Sequence, residues 1–264
     1  MHNITTITVA TLAMAIIGCD SYDQDFAGQG QEGSDDRIVG GRDTDITEVP
    51  WQVSLGGCGG SILDEVWILT AAHCVVGNTD QRSVEAGVSK LTEEGQVRSV
   101  ESVYVYPGFT QVEDGKDVAL LRLSEPLELN GSSVAAIGLA GAGDAPPGTI
   151  ALVSGWGRLS SGGGSPEMLQ SVEVPIVSNE DAAVVYPNVT DDQLAAGIMD
   201  VGGADSCQGD SGGPLVVGFP GSPRLAGVVS YGAGCGEPNA PGMYARVSSF
   251  LGWIDETMNA DGGG

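Results

Sequence analysis

Short runs of Val, Ile and Leu, interrupted at close intervals by Gly, Pro and Asn, occupy most of this chain. Trp51–Leu55, Val66–Thr70, Val100–Val105, Val118–Leu123, Thr149–Val153, Leu215–Val217 and Leu225–Ser230 are such runs. Their shortness and the turn-forming residues between them predict strands, and their number predicts an all-β sandwich or barrel. One segment departs from this pattern. Ser248–Met258 places Phe250, Leu251, Ile254 and Met258 at helical spacing, with Ser248 or Ser249 available as N-cap, so a single C-terminal α-helix is expected there.

The ends read differently. Ile4–Gly18 is an apolar stretch of 15 residues, short for a membrane span and suited to the central region of a signal peptide over residues 1–19. No Lys or Arg precedes it, and it closes on Ile16-Ile17-Gly18-Cys19, which resembles the lipobox of a bacterial-type precursor and makes Cys19 a candidate for lipidation. Residues 20–36 carry Asp20, Asp23, Asp25, Glu32, Asp35 and Asp36 among Gly and Gln. Such a composition cannot bury a core, so an unstructured acidic propeptide over 20–37 is expected. Residues 259–264 read as a tail.

Charge narrows the choice of partner. The chain has 35 acidic and 10 basic residues, a formal net charge of −25. Nucleic acid is excluded as an expected partner, because neutralising phosphates needs Lys and Arg. The surplus suits a solvated, salt-tolerant surface, and it attracts basic substrates.

Of five cysteines, Cys19 lies in the targeting segment, which leaves Cys58, Cys74, Cys207 and Cys235. An even number in an exported chain predicts disulfides. Four cysteines allow three connectivities, and spacing does not choose among them; the local pairs Cys58–Cys74 and Cys207–Cys235 are the simplest. Zinc is disfavoured, since there is no C-x-x-C and almost no His. No metal or cofactor is expected.

His73, in Thr70-Ala-Ala-His-Cys74, is the only histidine beyond the signal segment. A lone histidine is more often structural, but histidine is the side-chain type whose ordinary pKa lies near neutrality. Ser211 stands in Gly209-Asp-Ser-Gly-Gly-Pro214. Glycines around a serine permit a tight turn and close backbone approach, so that neighbouring N–H groups can converge on one point. Asp117 leads the apolar run Asp117-Val-Ala-Leu-Leu121, where a carboxylate is expected to be buried and to need a partner. An imidazole would serve; so would backbone amides at a strand end.

Taken together, His73, Asp117 and Ser211 occur in an order that a Ser-His-Asp triad can use. From Arg37 to about Met258 the chain resembles the chymotrypsin-fold serine peptidases, and trypsin most of all. The resemblance is carried by Arg37-Ile-Val-Gly-Gly41, Pro50-Trp-Gln-Val-Ser-Leu55, Cys58-Gly-Gly-Ser61, Thr70-Ala-Ala-His-Cys74, Asp117-Val-Ala-Leu-Leu121, Gly155-Trp-Gly157, Asp205-Ser-Cys-Gln-Gly-Asp-Ser-Gly-Gly-Pro214, Ser230-Tyr-Gly232 and Pro241-Gly242.

The resemblance implies two six-stranded antiparallel β-barrels, about 38–140 and 141–247, followed by a helix over 248–258. His73 and Asp117 would come from the first barrel and Ser211 from the second. Ser211 would be the nucleophile, His73 the general base and acid, and Asp117 the group that orients the imidazole; the amides of Gly209 and Ser211 would bind the oxyanion. Asp205, Ser230, Gly232 and Gly242 would form the substrate pocket, with Asp205 at its base selecting Arg or Lys. Arg37–Ile38 would be the bond cut to activate a zymogen, and the new Ile38 ammonium would pair with Asp210. The implied product is a secreted, monomeric endopeptidase acting on polypeptides with Arg or Lys and open to proteinaceous inhibitors. If Cys19 is acylated, the precursor would be anchored to the cell envelope and freed by the same cut.

The chain also departs from the family. Ala182 and Ala195 match positions that usually form a further disulfide. The loop after Gly87 lacks the acidic calcium-binding pattern, although Glu93 and Glu94 lie near it. Tyr231 replaces a commoner Trp, and Asp114 is placed to border a second substrate subsite. Two other readings compete: a catalytically silent binding module on the same fold, which an intact triad opposes, and an esterase of another fold, which the chain order His, Asp, Ser opposes.

Overall fold

Six strands close the first barrel: β2 (Gln52–Ser54), β3 (Gly59–Ile62), β4 (Trp67–Thr70), β5 (Ser83–Ala86), β6 (Gln96–Val105) and β7 (Ala119–Leu123). They pair antiparallel in the order β2-β3-β4-β7-β6-β5, and β5 returns to β2. The computed structural model describes Met1, residues 40–77 and residues 83–261. Strands β4 and β7 show why the sequence has continuous apolar runs instead of alternation. Ile68, Ala119, Leu121 and Leu123 fill the barrel. Trp67, Leu69, Val118 and Leu120 face a second cluster outside it. Period-2 geometry sends neighbours to opposite faces, and both faces are buried.

The second barrel is built from β9 (Ile150–Gly155), β10 (Gln170–Val177), β11 (Gln193–Ala196), β12 (Pro214–Val217), β13 (Arg224–Tyr231) and β14 (Gly242–Arg246). The path β10-β11-β14-β13-β12-β9 closes because β9 also pairs with β10. Val153, Val174, Ile176, Leu194, Leu215 and Tyr244 fill it. Two further strands extend this sheet: β1 (Arg42–Asp43) pairs with β10, and β8 (Gly138–Leu139) runs parallel to β13. The two-barrel expectation therefore holds. Its boundary is less simple than a cut near residue 140, because β1 and β8 precede that point and join the second sheet.

The C-terminal helix also differs at its ends. A 3-10 turn over Val247–Ser249 leads into α2 (Leu251–Asp261), which carries helix into residues expected to be tail. Ser249 does not cap it; its hydroxyl donates to the Asp191 carbonyl. Phe250 and Ile254 are nonetheless buried as the spacing required. Tyr106 meets Phe250 and Trp253 edge-on, with centroids 4.8 and 5.2 Å away. Burying each such side chain stabilises the fold by about 1.5–3 kcal/mol. A short unexpected helix, α1 (Asn179–Ala182), is capped by Ser178, whose hydroxyl accepts from Asp181 N–H. Among the described residues no helix is long and apolar enough to cross a membrane. The signal segment, Cys19 and the propeptide lie outside the described residues.

Candidate active site

Strand β4 ends at Thr70, and a 3-10 turn over Ala72–Cys74 carries His73 into the cleft. A disulfide joins Cys74 to Cys58, just before β3. Asp117, immediately before β7, is fully buried, and three donors satisfy its carboxylate. The His73 backbone N–H donates to Oδ1 at 2.9 Å. Nδ1 of His73 lies 2.6 Å from Oδ2, and the Ser230 hydroxyl donates to the same oxygen at 2.5 Å. A carboxylate only accepts, so Nδ1 carries the proton and Nε2 is left with its lone pair. The imidazole is partly exposed, at 27% of its side-chain surface, so a reacting group can reach it.

Ser211 sits in a loop folded by two turns: Asp210 N–H donates to the Cys207 carbonyl, and Gly213 N–H to the Asp210 carbonyl. Gly209 and Gly212 take φ of +105° and +78°, a region that favours glycine. The Gln208 carbonyl accepts from Arg158 N–H at 2.8 Å. A trans peptide sets its N–H opposite its C=O, so the Gly209 N–H points away from Arg158. Among the described residues, neither the Gly209 nor the Ser211 N–H donates to a protein acceptor. Two neighbouring unpaired donors beside a serine form a site for a developing negative charge.

A pocket of about 190 Å³ runs from Ser211 to Asp205, walled by Ser230–Gly232, Gly242 and the disulfide Cys207–Cys235. Gly242 keeps its base open: a Cβ there would stand 2.6 Å from Oδ1 of Asp205. Asp205 accepts from Ser206 N–H at 2.8 Å and Gly236 N–H at 3.1 Å. Burial nevertheless outweighs these bonds and pushes its pKa up to about 7. Tyr244, also buried, is driven well above its ordinary value by the same desolvation, reinforced by Asp205. A buried carboxylate without a cation is the electrostatic complement of an Arg or Lys side chain.

Asp210 is fully enclosed beneath Ser211. It accepts from Gly157 N–H at 2.8 Å and Cys207 N–H at 2.9 Å. Gly155 and Gly157 cradle it, since a Cβ at either would strike its carboxylate at 2.2 or 2.3 Å. Burial lifts its pKa to about 6. The sign for stability follows. The native state keeps the protons of Asp205 and Asp210 up to about pH 7 and 6, while the unfolded chain sheds them near 3.8. Between these values the native state binds more protons, so stability falls as pH rises. In a Ser211→Ala background, which avoids self-digestion, Asp205→Ser is expected to lose less thermal stability than its parent from about pH 4 to pH 7. Equal losses would contradict this assignment.

The structure thus lines one pocket with Asp205, Ser211, Ser230, Gly232 and Gly242, joins His73 and Asp117 to it through Ser230, buries Asp210 next to Ser211 in the chain, and pairs Cys58 with Cys74 and Cys207 with Cys235. Arg37 and Ile38 lie outside the described residues. Three features escaped the sequence: Ser230 holding Asp117 besides lining the pocket, the Gly155/Gly157 cradle, and Tyr244 at the pocket base. The Gly155-Trp-Gly157 string was the available signal for the second. Ala182 and Ala195 share one buried apolar cluster with Val177 and Met243. Asp114 is exposed and accepts from Thr110 and Gln111, and Tyr231 accepts from Gln193 Nε2 at 2.9 Å. Glu93 accepts from the Ser89 and Lys90 amides. Among the described residues, Cys58, His73 and Cys74 lie close enough to share an ion, but the two sulfurs are bonded to each other and offer no thiolate.

A family model described as Trypsin matches residues 38–254. The chain is 39% identical over 233 residues to "Serine protease 1" of Rattus norvegicus, covering 86% of this chain and 92% of that protein. It is 40% identical over 233 residues to "Anionic trypsin" of Canis lupus familiaris, with the same coverage of 86% and 92%. It is 42% identical over 247 residues to "Trypsin zeta" of Drosophila melanogaster, covering 85% and 86%. These relatives are animal proteins and lend no support to a bacterial-type precursor.

Proposed function

The chain belongs to the trypsin family and is a serine endopeptidase, and from that premise we propose that it cuts polypeptides after Arg or Lys, using His73, Asp117 and Ser211. The observation that carries this reading is the pocket with buried Asp205 at its base and Ser211 at its rim. A bound guanidinium or ammonium at Asp205 sets the following carbonyl beside Ser211. Nε2 of His73 takes the proton of Ser211 Oγ as Oγ attacks that carbonyl carbon. The carbonyl electron pair moves to oxygen, where the Gly209 and Ser211 amides receive it; each such donor contributes roughly 3–4 kcal/mol. The imidazolium, held by Asp117, protonates the leaving amine. With the C–N bond broken, water attacks the acyl carbon and gives its proton to Nε2, which returns it to Ser211 Oγ as the ester bond breaks and the acid leaves. Ser230 keeps Asp117 aligned throughout.

The enzyme is made as an inactive precursor opened at Arg37–Ile38. Support comes from Asp210, a fully buried carboxylate with backbone partners and, among the described residues, no cation. Gly40 packs so closely on Gly203 that a Cβ there would sit 2.3 Å from the Gly203 carbonyl. Gly40, two residues after Ile38 in the sequence, thus touches the segment that leads into Asp205. The ammonium of the new Ile38 terminus pairs with Asp210 and steadies the loop around Ser211. Arg37 meets the enzyme's own specificity, so the precursor can activate itself, slowed by Asp35 and Asp36. Ile38→Asn weakens insertion of the new terminus. After complete cleavage at Arg37, confirmed by N-terminal sequencing, that variant is expected to hydrolyse Arg peptides feebly; near-normal rates would contradict the scheme.

A further inference from the structure

His73 and Ser211 stand on different barrels, so their separation depends on contacts between the barrels. One such contact is the Ser230–Asp117 bond described above, and another, at the nucleophile itself, is made by Gly59 on β3. Its N–H donates to the Ser211 carbonyl at 2.7 Å. Its own carbonyl accepts from the Thr70 hydroxyl at 2.8 Å, a bond buried from solvent. Thr70 is the last residue of β4, three residues before His73. Cys58, next to Gly59, is bonded to Cys74, next to His73. Gly59 is thus tied to the histidine segment twice, by a hydroxyl and by a disulfide, and to the nucleophile once. Gly212 closes the junction: a Cβ there would lie 2.2 Å from Thr70 Oγ1 and 2.6 Å from the Gly59 carbonyl. At Gly59 a Cβ would lie 3.0 Å from the Gly213 Cα. Around Gly59 and Gly212 the two barrels meet backbone to backbone, with the Thr70 hydroxyl inserted at that point.

We propose that Thr70 is a positioning residue for catalysis: its hydroxyl fixes Gly59, and Gly59 fixes the Ser211 peptide against His73. This rests on the peptidase reading above. Substrate binding at Asp205 lies outside the joint, so the clamp acts on kcat and not on KM. Misplacing a reacting pair by up to about 1 Å lowers a rate by up to roughly 100-fold.

The test compares Thr70→Val, which keeps shape and removes the hydroxyl, with Thr70→Ser, which keeps the hydroxyl. Activated enzymes are assayed on an Arg peptide well below their melting temperatures, with rates normalised to active sites titrated by a fluorophosphonate. Thr70→Val is expected to lower kcat and the rate of fluorophosphonate labelling roughly 10- to 100-fold, with KM within about twofold of wild type. Thr70→Ser is expected to restore both. Unchanged kcat in Thr70→Val would overturn the proposal, as would equal impairment of Thr70→Ser, which would assign the effect to methyl packing. If Thr70→Val folds too poorly to assay, Thr70→Ala is read against Thr70→Ser by the same criteria. Absence of hydrolysis by the wild-type enzyme would instead overturn the peptidase reading, and the clamp with it.

Discussion

Replacing Ser211 with Ala is expected to lower kcat by about a million-fold and to leave the fold intact. The size of the effect follows from the way the three side chains act as one unit. Without Oγ, the proton acceptor at Nε2 has no donor, and the His73–Asp117 pair has nothing to activate. The Gly209 and Ser211 amides remain, so a residual acceleration of about 10³–10⁴ over the uncatalysed reaction persists. Ser211 is only half-buried at the end of a loop, and its carbonyl bond to Gly59 does not involve the hydroxyl. Thermal stability is therefore expected to stay close to the parent's. The check is single-turnover hydrolysis at high enzyme concentration, with circular dichroism to confirm folding. A loss of less than about tenfold would remove Ser211 from the role of nucleophile.

Asp205→Ser changes what is cut more than whether cutting occurs. In the parent, a buried carboxylate faces the incoming cation. In the variant, the cation enters the same desolvated pocket with no countercharge. Breaking one side of a buried ion pair costs about 3–5 kcal/mol, which corresponds to a loss in kcat/KM of roughly 10²- to 10⁴-fold for Arg and Lys peptides. Peptides with Phe before the scissile bond gain no penalty, because they never used the charge. The measurement is kcat/KM on matched peptides, variant against parent. Equal losses for Arg and Phe peptides would indicate general damage to the loop and would contradict a pocket role for Asp205.

Much of this site was legible in the sequence because its chemistry is local. His73 lies in a five-residue string, Ser211 and Asp210 lie between glycines, and Asp117 heads an apolar run. The pocket glycines Gly232 and Gly242 were reached only through the family resemblance, and of the two it is Gly242 whose missing side chain leaves room beside Asp205. Other parts depend on juxtapositions that no string records. Ser230 serves Asp117 across 113 residues of sequence, and Gly59 serves Ser211 across the barrel boundary. The strands were found because their apolar runs are continuous, and the runs are continuous because β4 and β7 are buried on both faces. The same continuity hid which face fills the barrel. The helix was displaced by three residues at each end because the 3-10 turn over Val247–Ser249 takes the place of a serine cap.

The most direct test is to cleave the chain after Arg37 and measure kcat/KM on peptides that differ only in Arg, Lys, Phe or Ala before the scissile bond. The account predicts hydrolysis of the Arg and Lys peptides, at least a hundredfold (roughly 3 kcal/mol) above the other two, and hydrolysis about a million-fold slower by Ser211→Ala. A correctly cleaved, folded chain that cut none of the four, or cut Phe and Ala as readily as Arg, would contradict it.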